Sequence, residues 1–488
     1  VIFVMSSEQL VNSRLARLIQ PLCDRHPELS GVYPLEEGND AFAARYLLTN
    51  MAEKTLDVQY YIWHNDLSGR LLFSALFRAA ERGVKVRLLL DDNNTGGLDE
   101  SLRRLNAHPN ISVKLFNPFQ LRRMRCLCYL TDFKRLNRRM HNKSMTFDRQ
   151  ATIVGGRNVG DEYFGIGEQP LFSDLDVLAV GNVVADVCQD FERYWTSACV
   201  SPAEDVLGKA SEKRFLHGLT IEEVGGRARA KEYLKRLRDK FLARKMENNE
   251  LPLTWAKVQL FSDDPLKGRG DLATKALMAS RLFKMIGEPK VSMDIISAYF
   301  VPTRTGVSQL VYLARQGVKM TVLTNSLAAN DVAIVHAGYA KWRKTLLRCG
   351  IELFEMKANE TERPARKERL RDRGLTGHSG SSLHAKTFAV DGRLVFIGSF
   401  NFDPRSARLN TEMGFVIESE SLASSTHQRF IASLHDKAFQ LVLAPRRKIN
   451  WIEYENDEKE IHHKEPDSPL YKRILARIAY YLPIEWLL

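Results

Sequence analysis

The sequence predicts an α/β protein made of two pseudo-symmetric repeats, each a mixed β-sheet flanked by α-helices. Three observations lead there. The 488 residues exceed what one hydrophobic core organises, so two or three domains are expected. A helix–glycine–strand block occurs twice. A second block, a histidine two residues ahead of a lysine and seven ahead of an aspartate, also occurs twice.

The first block is Ala80-Glu81-Arg82-Gly83-Val84-Lys85-Val86, matched by Ala314-Arg315-Gln316-Gly317-Val318-Lys319-Met320. In both copies an amphipathic helix ends at a glycine, which adopts a left-handed cap without strain, and an apolar strand follows. A strand precedes each helix, Asp57–Trp63 in one copy and Asp294–Phe300 in the other. Strand, helix and strand in that order describe an α/β domain with a largely buried sheet. The second block is His141-Asn142-Lys143-Ser144-Met145-Thr146-Phe147-Asp148, leading to Gly155-Gly156-Arg157-Asn158. Its match is His384-Ala385-Lys386-Thr387-Phe388-Ala389-Val390-Asp391, leading to Gly398-Ser399-Phe400-Asn401. The interval from His to Asn has the same length in both, which marks a duplication. The expected organisation is an N-terminal segment 1–32, a first repeat 33–201, a charged helical connector 202–255, a second repeat 256–445, and a basic tail 446–488 with an amphipathic C-terminal helix.

Bulk properties narrow the function classes. Hydrophobic residues at 44% and charged residues at 27% give an ordinary globular balance without disordered character. Lysine and arginine exceed aspartate and glutamate by 12, which favours a polyanionic partner, nucleic acid or an anionic membrane surface. The six cysteines are scattered with no CxxC pair, so zinc ribbons, redox dithiols and a disulfide framework are not expected. No apolar run approaches the length needed to cross a bilayer. Val1-Ile2-Phe3-Val4-Met5 is too short for the apolar region of a signal peptide, and retention in the cytoplasm is expected.

Chemistry follows from the second block. Asp391-Gly392 between two apolar runs signals a hairpin turn. Side chains alternate along the strand before it, so His384 and Lys386 project from one side. Asp391 sits at the turn, where a short carboxylate bonds backbone amides. Asp148-Arg149 is the matching turn of the first copy. The returning strand ends in small residues, Gly156 or Ser399, that let a ligand approach the backbone, and Asn158 or Asn401 then offers an amide. Lysine and asparagine suit the non-bridging oxygens of a phosphodiester, and imidazole can attack phosphorus or protonate a leaving oxygen near neutral pH. Two-step transfer needs two imidazoles, and two repeats related by a pseudo-two-fold axis are expected to bring both to one cleft.

With both blocks quoted, the chain resembles the phospholipase D superfamily. Gly398–Ser406, Leu409-Asn410-Thr411-Glu412-Met413-Gly414, and Asn330-Asp331-Val332-Ala333 with Tyr339 resemble its bacterial cardiolipin synthase branch. Arg138–Ser144 adds similarity to the C-type enzymes of that branch. The resemblance runs from about Tyr33 to the C-terminus and implies catalytic His141, Lys143, Asp148, His384, Lys386 and Asp391, with Asn158, Asn401, Gly156 and Ser399 around the phosphate. It implies attack by His141 to form a phosphohistidine, with His384 as the acid. An acidic residue after each Asn then orients the opposite imidazole: Glu412 for the second copy, and Asp176, with Asp174 as the alternative, for the first. The implied reaction moves a phosphatidyl group from phosphatidylethanolamine to phosphatidylglycerol, with no cofactor and no metal. A phospholipase D-type hydrolase giving phosphatidic acid is the alternative, and a nuclease of the superfamily a lesser one.

Two stretches address the partner. Leu121–Arg139 interleaves apolar and basic residues at near-helical spacing, as in a helix that lies at a headgroup boundary with its charges on anionic lipid. In the tail, Ser468 and Pro469 open a helix in which Tyr471, Ile474, Leu475, Ile478 and Leu482 share a face opposite Lys472, Arg473 and Arg477. Either can instead be an amphipathic helix packed on its own core. Together they favour a phospholipid bilayer over nucleic acid, on the cytoplasmic face of the bacterial inner membrane.

Overall fold

The computed structural model describes residues 12–166, 173–209, 233–235, 245, 250–330, 332–358, 383–445, 448–455 and 458–482. Most of the expected connector helix, Asp331, the first eleven residues and Trp486-Leu487-Leu488 lie outside them. The chain divides into two compact units. One takes residues up to Gln169, Leu175–Met278 and Leu409–Phe415; the other takes Pro170–Asp174, Ala279–Arg408 and Val416–Leu488.

In the first unit the strands are β1 (Ser30–Leu35), β2 (Thr55–Ile62), β3 (Lys85–Asn94), β4 (Ile111–Phe116), β5 (Ser144–Phe147), β6 (Ala151–Gly155), β7 (Asp176–Gly181), β8 (Val200–Pro202) and β9 (Thr254–Ser262). They form one mixed sheet in the order β9–β1–β7–β6–β5–β2–β3–β4–β8, with β2, β3 and β4 parallel and the others antiparallel. The helix Leu67–Glu81 links β2 to β3. Asp66 caps its start by accepting from the Gly69 N–H, and Gly83 follows its end at φ 94°. This is the left-handed position that the repeat block predicts.

The second unit repeats the plan. Its elements are β10 (Ser292–Ser297), β11 (Lys319–Asn325), β12 (Glu352–Met356), β13 (Lys386–Val390), β14 (Leu394–Gly398), β16 (Ala438–Ala444), β17 (Lys448–Glu455) and β18 (Glu458–His462), while β15 (Met413–Glu418) is divided, its residues up to Phe415 belonging to the first unit. Strands β10, β11 and β12 are parallel, and the order β14–β13–β10–β11–β12–β16–β17–β18 continues antiparallel on both sides. The helix Thr303–Arg315 precedes Gly317 at φ 90°. Two parts of the expected organisation differ. Strand β9 belongs to the first sheet although the second repeat is expected from 256, and the tail residues from Lys448 extend the second sheet as β17 and β18. Trp451 anchors that extension, its indole N–H donating to Glu355 Oε2 at 2.9 Å.

Both motif hairpins close through three residues, the first two with positive φ: Asp148 (49°) and Arg149 (56°), then Asp391 (53°) and Gly392 (62°). Asp148 is buried and accepts from the backbone N–H groups of Glu53, Lys54 and Thr55, the closest at 2.7 Å. Asp391 accepts from those of Lys290, Val291 and Ser292 in the same way. Each aspartate ties its hairpin to the chain entering the central strand, at the end of the hairpin away from the histidine. These bonds give each aspartate a part in positioning the strand that carries the chemistry.

Partial burial pushes the Asp391 carboxyl up, but the three N–H bonds outweigh it and leave it below its ordinary range. A lowered carboxyl adds stability that is present above its unfolded value and is lost as pH falls through its folded one. Asp391→Asn should therefore be about 1 kcal/mol less stable than the parent at pH 7, with the gap closing on acidification. Urea melts across pH check this. Asp148→Ala, which takes the acceptor from three partly buried N–H groups, should cost about 1–3 kcal/mol at pH 7.

Candidate active site

In the first unit, Leu409–Phe415 runs beside the residues that lead into β5. Met140 and Thr411 form a parallel bridge, the His141 N–H donates to the Thr411 carbonyl at 2.9 Å, and the Thr411 N–H donates to the Arg139 carbonyl at 2.9 Å. That pairing delivers Glu412 to His141, with Oε2 2.8 Å from Nδ1. Glu412 is fully buried. Its own N–H donates to Asp263 Oδ2 at 3.0 Å and its carbonyl accepts from the Asp263 N–H at 2.9 Å. Asp263 is held in turn by the Lys267 ammonium and the Met278 N–H, each at 2.7 Å. An anion on Nδ1 fixes the ring orientation and favours the tautomer with the proton on Nδ1, which leaves the lone pair on Nε2.

Lys143 is buried and donates to the His141 carbonyl at 2.6 Å, its ammonium 5.6 Å from the centre of the Tyr61 ring. Tyr61 also meets the His141 ring edge-to-face at 4.9 Å. Asn142 locks the intervening residue, accepting from the Thr411 hydroxyl at 2.7 Å and donating to the Ser262 hydroxyl at 3.4 Å.

The second unit builds its site the same way. Ser173 bridges Leu383, and the Ser173 carbonyl accepts from the His384 and Ala385 N–H groups at 2.9 Å. His384 Nδ1 lies 2.5 Å from Asp174 Oδ2. Lys386 donates to the His384 carbonyl and stands 3.1 Å from the same Nδ1. Because the carboxylate takes the proton of Nδ1, the ammonium's effective bond is the one to the carbonyl. Asn325 at the end of β11 braces the approach, donating to the Leu383 carbonyl at 2.9 Å and accepting its N–H at 3.3 Å.

The carboxylate beside His384 is thus Asp174, and the expectation of Asp176 is corrected. Asp176 is buried at the start of β7, where the Arg45 guanidinium donates to it at 2.8 Å and the Arg157 N–H at 3.1 Å. Gly155 lies opposite, and a Cβ there would stand 2.1 Å from Asp176 Oδ1, so the absent side chain makes room for the carboxylate. Asn158 is buried, its oxygen accepting from the Ile62 N–H at 3.1 Å and its amide donating to the Tyr163 hydroxyl at 3.1 Å. Its oxygen and one of its two amide N–H groups are thus engaged within the fold. Asn401 Oδ1 accepts from the Tyr299 N–H at 3.4 Å, which makes it the structural match of Asn158. The Gly156 N–H donates to the Leu175 carbonyl at 3.2 Å, and Ser399 is buried.

Sequence reasoning did not find Tyr61, Asn142, Asp263 or Asn325. Tyr61 and Asn142 lie within the strand and the motif block that were read, but their parts in the site, like those of Asp263 and Asn325, show only through contacts distant in sequence. Among the described residues, three His and carboxylate groups are close enough to hold a cation, and none includes a residue of the two motifs. One of them, His336 with Glu355 and Glu465, already contains the Arg343 guanidinium.

Against known proteins, the family model described as "Cardiolipin synthase, PLD-like domain" matches residues 48–195 and 282–434. The "Cardiolipin synthase C" of Escherichia coli strain K12 is 56% identical over 479 residues, covering 97% of this chain and all of that protein. The "Cardiolipin synthase B" of Shigella flexneri is 26% identical, covering 78% of this chain and 75% of that one. Among solved structures, the phosphatidylserine synthase of Haemophilus influenzae Rd KW20 superposes with a TM-score of 0.59 at 14% identity, over 98% of this chain and all of that one. That likeness supports the two-repeat fold.

Proposed function

The chain belongs to the cardiolipin synthase family of phospholipase D-like proteins, and from that premise we propose that it is a phosphatidyltransferase that joins a phosphatidyl group to phosphatidylglycerol. The observation that carries this reading is the pair of imidazoles, each with a carboxylate on Nδ1 and a lysine two residues on. The donor is phosphatidylethanolamine, as similarity to the C-type branch implies.

His141, with its Nδ1 proton on Glu412, attacks phosphorus through Nε2. The P–N bond forms as the bond from phosphorus to the headgroup oxygen breaks, and His384 gives that oxygen its proton, releasing ethanolamine. His384, now neutral, takes the proton of a glycerol hydroxyl of phosphatidylglycerol. That oxygen attacks phosphorus, the P–N bond breaks, and cardiolipin leaves with both histidines restored. A positioned acid of this kind contributes roughly a hundred- to ten-thousand-fold. Lys143 and Lys386 put positive charge beside the imidazoles, where the equatorial phosphate oxygens gain charge in the transition state.

The lipid substrates call for a membrane surface, and the cytoplasmic face is the one this reading assigns. No helix among the described residues is long and apolar enough to cross a bilayer. The direct test offers the purified chain labelled phosphatidylglycerol in vesicles with and without phosphatidylethanolamine. Labelled cardiolipin that increases with phosphatidylethanolamine, together with free ethanolamine, is expected. Phosphatidic acid without cardiolipin would instead identify a hydrolase.

A further inference from the structure

The C-terminal helix Leu470–Tyr480 is amphipathic with its faces reversed relative to a helix packed on a core. Two of its cations turn inward. Lys472 donates to the carbonyls of Ala328 and Asn330, both at 2.9 Å, and Arg473 donates to the Glu465 carbonyl at 2.8 Å. Its large apolar residues turn outward: Tyr471 is 65% exposed, Ile474 52% and Ile478 56%, with Leu470, Leu475 and Tyr481 also exposed. The helix packs on the short helix Ala333–Ala340, where Ala479 is buried. Large apolar side chains left in water forgo the gain of burial, so a contiguous exposed face of this kind marks a contact surface.

We propose that this face is a bilayer-docking surface, seated in the headgroup and acyl boundary with its apolar ridge towards the lipid. The proposal rests on the phospholipid-transfer reading and adds the surface through which the second unit meets its substrate. Location supports it. Ala328 and Asn330, which Lys472 holds, follow the end of β11, and Asn325 at that end braces Leu383 beside His384. The exposed ridge is therefore anchored at the end of the second sheet's strands where the catalytic imidazole lies.

The first unit independently shows the same inversion. In its helix Arg125–Leu136, Leu127, Leu130 (83% exposed) and Phe133 face out. Arg125 at its start and Arg122 in the turn just ahead of it point in, Arg122 to Asp92 and Asp99, and Arg125 to the Asp92 and Asn93 carbonyls. That helix ends five residues before His141. The position of the ridge at the end of the second sheet where His384 lies suits the phospholipid that the proposed reaction brings to that imidazole, rather than a second copy of the chain. The charges expected to meet anionic lipid are largely consumed internally, so the attraction is mainly apolar and weakly screened by salt.

The test compares the full chain with Ile474→Asp/Ile478→Asp for co-sedimentation with vesicles of phosphatidylglycerol and phosphatidylethanolamine. Vesicle partitioning should fall at least about ten-fold in the variant, and the parent should lose less than about three-fold between low and high salt. Turnover of a short-chain phospholipid kept monomeric in solution should stay unchanged, which shows that the variant is folded. Leu475→Ser, a milder change on the same ridge, should fall in between. Unchanged partitioning in both variants overturns the proposal, as does a parental dimer that the substitutions dissociate without affecting vesicle binding. Variant-sensitive vesicle binding by a chain that turns over no phospholipid supports the surface and defeats the catalytic reading instead.

Discussion

Replacing His141 by alanine should reduce phosphatidyl transfer by at least about ten-thousand-fold, because the only imidazole assigned to bond phosphorus is gone. Replacing His384 should cost roughly a hundred- to ten-thousand-fold with a natural alcohol leaving group, the contribution of a positioned acid. The two variants separate with an activated substrate. A nitrophenyl ester of a phosphatidyl group leaves without needing a proton, so His384→Ala should recover its first step while His141→Ala stays inactive. Nitrophenol release under pre-steady-state conditions checks this. Equal recovery of both variants, or recovery of His141→Ala alone, would reverse the roles of the two histidines.

The second large effect distinguishes two aspartates that sit two residues apart. Asp174 bonds His384 Nδ1, so Asp174→Ala should lower kcat roughly a hundred- to ten-thousand-fold while leaving the urea midpoint close to the parent's. Asp176 is enclosed with Arg45 and Arg157, and its loss leaves buried guanidinium charge without its carboxylate. Asp176→Ala should therefore cost about 3–5 kcal/mol of stability. A folded, fully active Asp174→Ala, or an Asp176→Ala that keeps its stability and loses only turnover, would return the orienting role to Asp176.

That pair shows where the sequence was legible and where it was not. The repeat plan could be read because it is local: a glycine at a helix end, an alternating strand and an aspartate at a turn are all decided within about ten residues. The motif spacing put each histidine and its lysine on the strand, whereas β5 begins at Ser144 and β13 at Lys386, so both histidines and Lys143 lie on the approaches to their strands. Asp174 and Asp176 look alike to such reasoning, since residues two apart on an extended chain share a face. The choice is made by Arg45, 131 residues away from Asp176, and by the Ser173–Leu383 bridge that carries Asp174 to His384. Asp263 escaped for the same reason, acting on His141 only through Glu412. The two amphipathic helices were visible as patterns, but which face points outward depends on internal partners such as Asp92 and the Ala328 carbonyl.

The double-displacement account is tested most directly by trapping its intermediate. His384→Ala, given a nitrophenyl phosphatidyl ester, can form the P–N bond but lacks the base that activates the acceptor alcohol. It should release one nitrophenol per active site in a burst. After an alkaline quench, peptide mass spectrometry should then find the phosphatidyl adduct on His141. An adduct on another residue, or a burst with no covalent adduct, would contradict the account.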